Sequence, residues 1–190
     1  MQSQRVILFI DAQNLYRGAR DAFGSPRDHF TIGQVHPIKL GELICSRPPS
    51  GQSRTLQEVR VYTGRPDSTK QPKGYGANLA QCAAWEKGGA TVIARTLRYP
   101  HDWPNLKAQE KGVDVALAID FVTGAIDGNY DVGVICSTDT DLRPALEYVA
   151  RKFSGSPRAE VMNWRSTASS RRLSVPGFNL WCHWLESADF

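Results

Sequence analysis

The chain has 190 residues, 41% of them hydrophobic and 22% charged, which suits one globular domain with a real core and excludes a disordered or fibrous chain. Its formal net charge of +4 permits a polyanionic partner without demanding one. The four cysteines lie far apart with no Cys-x-x-Cys pair, which argues against zinc and suits a reducing, cytoplasmic setting.

Val6 to Ile10 is an unbroken β-prone run, too short for a signal peptide, and no stretch approaches a membrane span. It reads as a strand buried on both faces. Asn14 to Phe23 continues as a helix, Ser25 to His36 as a loop, and Ile38 to Cys45 as a helix by its apolar spacing. Arg47 to Arg54 is a loop, Val59 to Thr63 a second strand, and Gly64 to Gly76 a long connector. Asn78 to Lys87 is a helix stopped by Gly88-Gly89, and Thr91 to Leu97 is the third strand. A second long connector, Arg98 to Gly112, precedes the apolar helix Val113 to Ala125. Asp127 to Asp131 turns into the fourth strand, Val132 to Cys136, with Cys136 as a small core residue. Asp141 to Lys152 is a helix and Glu160 to Trp164 a fifth strand. Ser166 to Arg172 is polar and basic, and Phe178 to Leu185 packs as a terminal helix or strand. Alternating strands and helices predict a parallel sheet with helices on both faces. No repeat or domain boundary interrupts the chain, so residues 1–190 are expected to form one domain.

Ligands in such sheets bind beyond the carboxyl ends of the strands, and acids gather there. Asp11 follows the first strand, and Ser137-Thr138-Asp139-Thr140-Asp141 follows the fourth. Thr138 with Asp141 also fits a helix capping box, and a lone Asp after a strand is often only a turn former. Asp114 opens the apolar helix, where the connector returns over the same edge. Asp120 lies roughly 240° further around that helix and is expected to be supporting or structural. Convergence of Asp11, Asp114, Asp139 and Asp141 would set like charges together, a cost normally offset by a cation. All-oxygen ligands favour Mg²⁺ or Mn²⁺. The histidines His29, His36, His101 and His183 have no ligand or triad spacing and read as surface or loop residues.

Three pieces in order resemble one family. Phe9-Ile10-Asp11-Ala12-Gln13-Asn14, Lys111-Gly112-Val113-Asp114 with Asp120, and Ser137-Thr138-Asp139-Thr140-Asp141 are similar to the motifs of NYN domains of the LabA-like group, within the PIN-like nuclease superfamily. The resemblance spans about residues 5–165, leaving 166–190 to pack on that core. It implies a three-layer α/β/α sandwich with a mainly parallel central sheet of about five or six strands, and metal-dependent endoribonuclease chemistry. It also implies that Asp11, Asp114, Asp139 and Asp141 are the catalytic and metal-binding acids, the shell of Asp141 being open. Asn14 would orient Asp11 or contact substrate, with Ser137 and Thr138 beside it. The chain departs from simpler members in its two long connectors, and in Leu142-Arg143-Pro144, where an aromatic is common.

Those connectors should emerge at the acidic edge with Arg65, Lys70, Lys73, Arg98, Lys107 and Lys111, and the last loop adds Arg165, Arg171 and Arg172. A basic rim would attract the phosphates of single-stranded or structured RNA, with Arg65, Lys73, Lys107 and Lys111 as the expected contacts. Tyr75, Tyr99, Trp103 and Trp164 are placed to stack on unpaired bases, although Trp164, Trp181 and Trp184 suit core or homodimer contacts better. Two other functions stay open: a catalytically silent RNA-binding module, and a Mg²⁺-dependent phosphohydrolase of small phosphate esters. Against the latter, no Asp-x-Asp follows the first strand.

Overall fold

The computed structural model describes residues 3–25, 27–49, 51–167 and 171–190. Six strands, β1 (Gln4–Asp11), β2 (Arg54–Arg65), β3 (Thr91–Thr96), β4 (Val132–Cys136), β5 (Arg158–Trp164) and β6 (Cys182–Leu185), pair in parallel into one sheet of order β3-β2-β1-β4-β5-β6. Successive β1 residues point to opposite faces. Val6, Leu8 and Ile10 join one core with the helices α1 (Ala12–Phe23), α2 (Pro37–Ser46) and α3 (Pro72–Lys87). Ile7 and Phe9 join the other core with α4 (Val113–Ile126) and α5 (Arg143–Lys152). The result is the three-layer α/β/α sandwich.

The sheet grows outward from β1 in one direction through β2 and β3, then restarts on the other side with β4. Crossovers of one hand must therefore change face at that reversal, which is why α4 and α5 lie opposite α1 to α3. Between β5 and β6 no helix occurs among the described residues. Buried Leu173 and Val175 take a helix's place against the α4–α5 core.

Several boundaries differ from the sequence expectation. The helix α1 starts two residues earlier than expected, at Ala12, because Asp11 itself caps it. The strand β2 begins at Arg54, within the expected loop, because pairing with Gln4 to Val6 extends it. The expected connector Gly64 to Gly76 is short: α3 opens at Pro72, whose fixed φ suits a first helical turn. Gly74 and Gly76 are then carried inside the helix by the Ala-rich remainder. Part of the polar stretch Ser166 to Arg172, residues 168–170, lies outside the described residues, as do Pro26 and Ser50 of two expected loops.

The second core is closed tightest at Gly133 on β4. A Cβ there would sit 2.7 Å from the rings of Phe121 and Tyr130, which pack on each other and on Phe9. Neither ring has room to retreat, so Gly133→Ala is expected to destabilise by about 1–3 kcal/mol. Urea unfolding of the variant beside the parent chain measures this.

Candidate functional site

The reversal of strand order between β1 and β4 opens a crevice at their carboxyl ends, and the acids stand there. Asp11 ends β1 and caps α1: its Oδ1 accepts the backbone N–H of Asn14 at 3.0 Å, and its Oδ2 accepts from Ser137 Oγ at 3.1 Å. Ser137 Oγ in turn accepts the backbone N–H of Asp139 at 3.1 Å. Asn14 Oδ1 accepts both the backbone N–H and the hydroxyl of Thr138, at 2.9 and 3.1 Å. The end of β4 is thus tied to the start of α1 by four side chains.

This geometry revises three expected roles. The polar atoms of Ser137, and the carbonyl oxygen of Asn14, are spent on neighbouring loop and strand ends, and the Thr138 N–H and hydroxyl are spent on Asn14. These side chains position the acids, and the Asn14 NH₂ is what they leave to face a substrate. Nor does Thr138 cap a helix. Asp139 caps the short 3-10 turn Thr140–Leu142, accepting the Asp141 N–H at 2.9 Å.

Asp114 reaches the crevice from the opposite layer. Gly112 precedes α4 at φ +76, a left-handed conformation that costs glycine little. That turn swings the chain from the second connector into α4 and sets Asp114 in its first turn. Asp120, further along α4, accepts the Tyr62 hydroxyl at 2.7 Å and lies 3.7 Å from Arg60. It is a structural partner of β2, as its position around the helix predicts.

Electrostatics link the acids. Asp11 is pushed up to about 6, chiefly by burial, which the Asn14 N–H opposes and the charges of Asp114 and Glu110 reinforce. Asp114 is raised by burial, then by Asp139 and Asp141. Glu110 is raised by burial, opposed by the Gly64 N–H it accepts at 2.7 Å, and raised again by Asp114. Asp114 is therefore the hub through which five carboxylates feel one another. The sequence reading missed Glu110 because it sat inside a connector read for its basic residues. Its signal was available: an acid four residues before Asp114, on the loop returning over the active edge. Arg17 on α1 was also missed, and its charge lowers Glu110.

The donor chemistry fits a hard divalent cation. Among the described residues no three His, Cys, Asp or Glu side chains form a group that encloses an ion. Mg²⁺ does not require such a cage, since one or two carboxylates with waters and substrate phosphates commonly hold it.

The basic residues divide. Lys73, Lys107 and Lys111 are exposed, Lys73 in the first turn of α3 and the other two on the second connector. Arg65 is half-buried and donates to Asn78 Oδ1 at 3.2 Å. Tyr99 is engaged with the Asp67 N–H, Gln71 and the edge of Trp103. Trp164 is 4% exposed, a core placement and not a stacking platform, as its preferred reading expects. Its indole donates to the Leu15 carbonyl at 3.0 Å and packs on Phe23 and Phe190. His183, expected at the surface, is also buried.

Comparison with known proteins fits this arrangement. The NYN domain model matches residues 5–170. The chain belongs to the NYN domain family. The match contains every acid of this NYN crevice, from Asp11 to Asp141. No curated protein matches the chain. A crystal structure of a protein of unknown function from Vibrio parahaemolyticus is similar to it with a TM-score of 0.52 and 17% identity, over 86% of this chain and 84% of that one. At that identity the likeness concerns the NYN fold alone. No helix among the described residues is long and apolar enough to cross a membrane.

Proposed function

We propose that this NYN domain is a divalent-metal-dependent endoribonuclease that hydrolyses RNA phosphodiester bonds at the β1–β4 crevice. The observation that carries the reading is the mutual electrostatic strain of Asp11, Glu110 and Asp114, with Asp139 and Asp141 beside them. Carboxylates so placed destabilise one another unless a cation or a proton intervenes. Asp11, Asp114 and Asp139 would hold Mg²⁺ or Mn²⁺, with Asp141 as a fourth acid. When bound, the cation supplies Lewis acidity and neutralises charge developing on the phosphodiester.

The chain's own residues do the rest. Ser137 and Asn14 fix the carboxylates against α1 and β4 before substrate arrives, which limits reorganisation during reaction. Lys73, Lys107 and Lys111, being exposed, offer phosphate contacts that attract the strand. Water adds across the P–O ester bond, its oxygen going to phosphorus and its proton ending on the leaving oxygen. Glu110, held above its ordinary pKa, is suited to carry a proton during that transfer.

The test is cleavage of mixed single-stranded and structured RNAs with Mn²⁺, Mg²⁺ or EDTA. Cutting is expected with either cation and not with EDTA. Asp11→Asn and Asp139→Asn should each lose it. Salt-sensitive binding without cutting would instead favour a silent RNA-binding module. Neither binding nor cutting would move the function to small phosphate esters.

A further inference from the structure

Beside the acids, on the α1–α3 side of β1, lies a cavity of about 320 Å³. It touches Ala12, next to Asp11, and shares Glu110 with the acidic crevice. Its polar walls are Gln13, Gln34, Gln81 and Thr63, with Trp85 as an aromatic wall over an aliphatic floor.

The chemistry of these walls is selective. Among the described residues no Lys or Arg lines the cavity, which does not suit a phosphate. Three primary amides supply both donors and acceptors in flat groups. Gln81 Nε2 donates to Gln34 Oε1 at 2.6 Å, which holds the two amides together and leaves the Gln34 NH₂ and the Gln81 carbonyl free to face a ligand. The Gln13 amide has no hydrogen-bond partner among the described residues, nor has the Trp85 indole N–H. A matching ligand is flat, neutral and edged with donors and acceptors, with a π-face to lie against an aromatic ring.

We propose that this cavity receives one unpaired nucleobase of the RNA and reads its edge through Gln13, Gln34 and Gln81. The proposal rests on the nuclease reading for the identity of the strand, and it names what that strand must offer. The volume admits one base and excludes a duplex, so the base must leave its stack, as single-stranded RNA allows. Sharing Glu110 with the acids places the base next to the scissile phosphate. Arg17, one helical turn after Gln13 on α1 and exposed, is near enough to lower Glu110 by its charge and so offers a phosphate contact beside the cavity. Gln13 and Gln81 are half-buried and Gln34 is exposed, so a bound base would cover their amides, and a wrong edge would leave the covered groups unpaired.

The experiment is cleavage of a randomised single-stranded RNA pool with Mn²⁺, followed by sequencing of the new ends. The parent chain is expected to show one position within two nucleotides of the cut where the best base exceeds the worst by about tenfold or more. Gln13→Leu and Gln81→Leu should bring that ratio below about threefold. Gln13→Glu, similar in shape but without donors, should change which base is best. Cutting with no positional preference, or a preference unchanged in both leucine variants, overturns the cavity's role and leaves the nuclease reading standing. If the parent chain cuts nothing, the nuclease reading fails by itself, and equilibrium binding decides the cavity. Single-stranded RNA bound about tenfold tighter than an abasic strand of equal length, with the advantage lost in Gln81→Leu, supports it. Equal binding of the two strands overturns it.

Discussion

Asp11→Asn is expected to melt above the parent chain at pH 8 without added metal, while cutting RNA more than about 100-fold more slowly. The rate loss follows because removing a directly bound ligand should cost at least as much as removing a group that merely supports one. The gain in stability follows from burial. The Asp11 carboxyl titrates near 6 in the folded chain against an ordinary 3.8. Between those values the folded chain holds the proton and the unfolded chain does not, so stability falls as pH rises through the window. The contribution is fully present below the ordinary value and lost above about 6. Two pKa units correspond to about 3 kcal/mol. Asparagine removes the charge and keeps the architecture, being as good a helix cap as aspartate. Its oxygen can accept the Asn14 N–H, and its NH₂ can face Ser137 Oγ. A chain of this size gains about 2–4 °C per kcal/mol, so the melting temperature should rise by roughly 6–12 °C at pH 8 and by little at pH 4. Calorimetry at both pH values measures this. Millimolar Mn²⁺ should raise the parent chain's melting temperature and leave that of Asp11→Asn nearly unchanged, because only a bound cation stabilises by mass action. A variant that melts below its parent at pH 8 would show that the Asp11 charge is already compensated by its neighbours.

The strands and their carboxyl-edge acids were legible in the sequence for a physical reason. Val6–Ile10 and Val132–Cys136 are buried on both faces, and a run without polar interruption is what such burial demands. Asp11, directly after the first run, and Asp139, three residues after the second, then had to lie near that edge. The resemblance to NYN motifs gave the family that the comparison bears out. Side-chain partnership was not legible. Nothing in the spacing of Asn14 and Thr138 shows that one accepts two hydrogen bonds from the other, because that depends on β1 and β4 pairing side by side in the sheet. Glu110 was hidden by the basic residues around it. Trp164 was ambiguous because tryptophan serves equally as core and as platform, and only the arrival of Phe23 and Phe190 decides between them.

The least legible feature carries the second large effect. Arg54 was read as a loop residue and His183 as a surface histidine, yet both side chains are buried against Glu160. Arg54 makes a bidentate pair with Glu160 at 2.7 and 3.0 Å, and His183 Nε2 lies 2.7 Å from the same carboxylate. The three come from β2, β5 and β6, and Cys45 on α2 feels the charges of Arg54 and Glu160, so the cluster spans the sheet beneath that helix. Burial alone would raise the Glu160 carboxyl, but the hydrogen bonds from His183 and Arg54 outweigh it and hold the group below its ordinary value. Its contribution is therefore present above that ordinary value and lost as pH falls through the lowered one. Arg54→Met removes the bidentate partner of a buried carboxylate, leaving it His183 alone, and is expected to cost about 3–5 kcal/mol, lowering the melting temperature by roughly 6–20 °C. Acid unfolding should then begin at higher pH, because a buried carboxylate that has lost its guanidinium partner takes up its proton earlier. The triple variant Arg54→Met, Glu160→Leu, His183→Leu should recover most of the loss, since replacing a whole buried ionic cluster with apolar groups is often neutral or better. Denaturant unfolding of both variants at pH 7 and pH 4 measures these terms. Arg54 sits at the amino end of β2, at the opposite sheet edge from Asp11 and Asp139. Below its melting temperature the triple variant should therefore cut RNA as the parent does. If it folds and fails to cut, the cluster does more than hold the sheet, and its charge reaches the acids through β1 and β4.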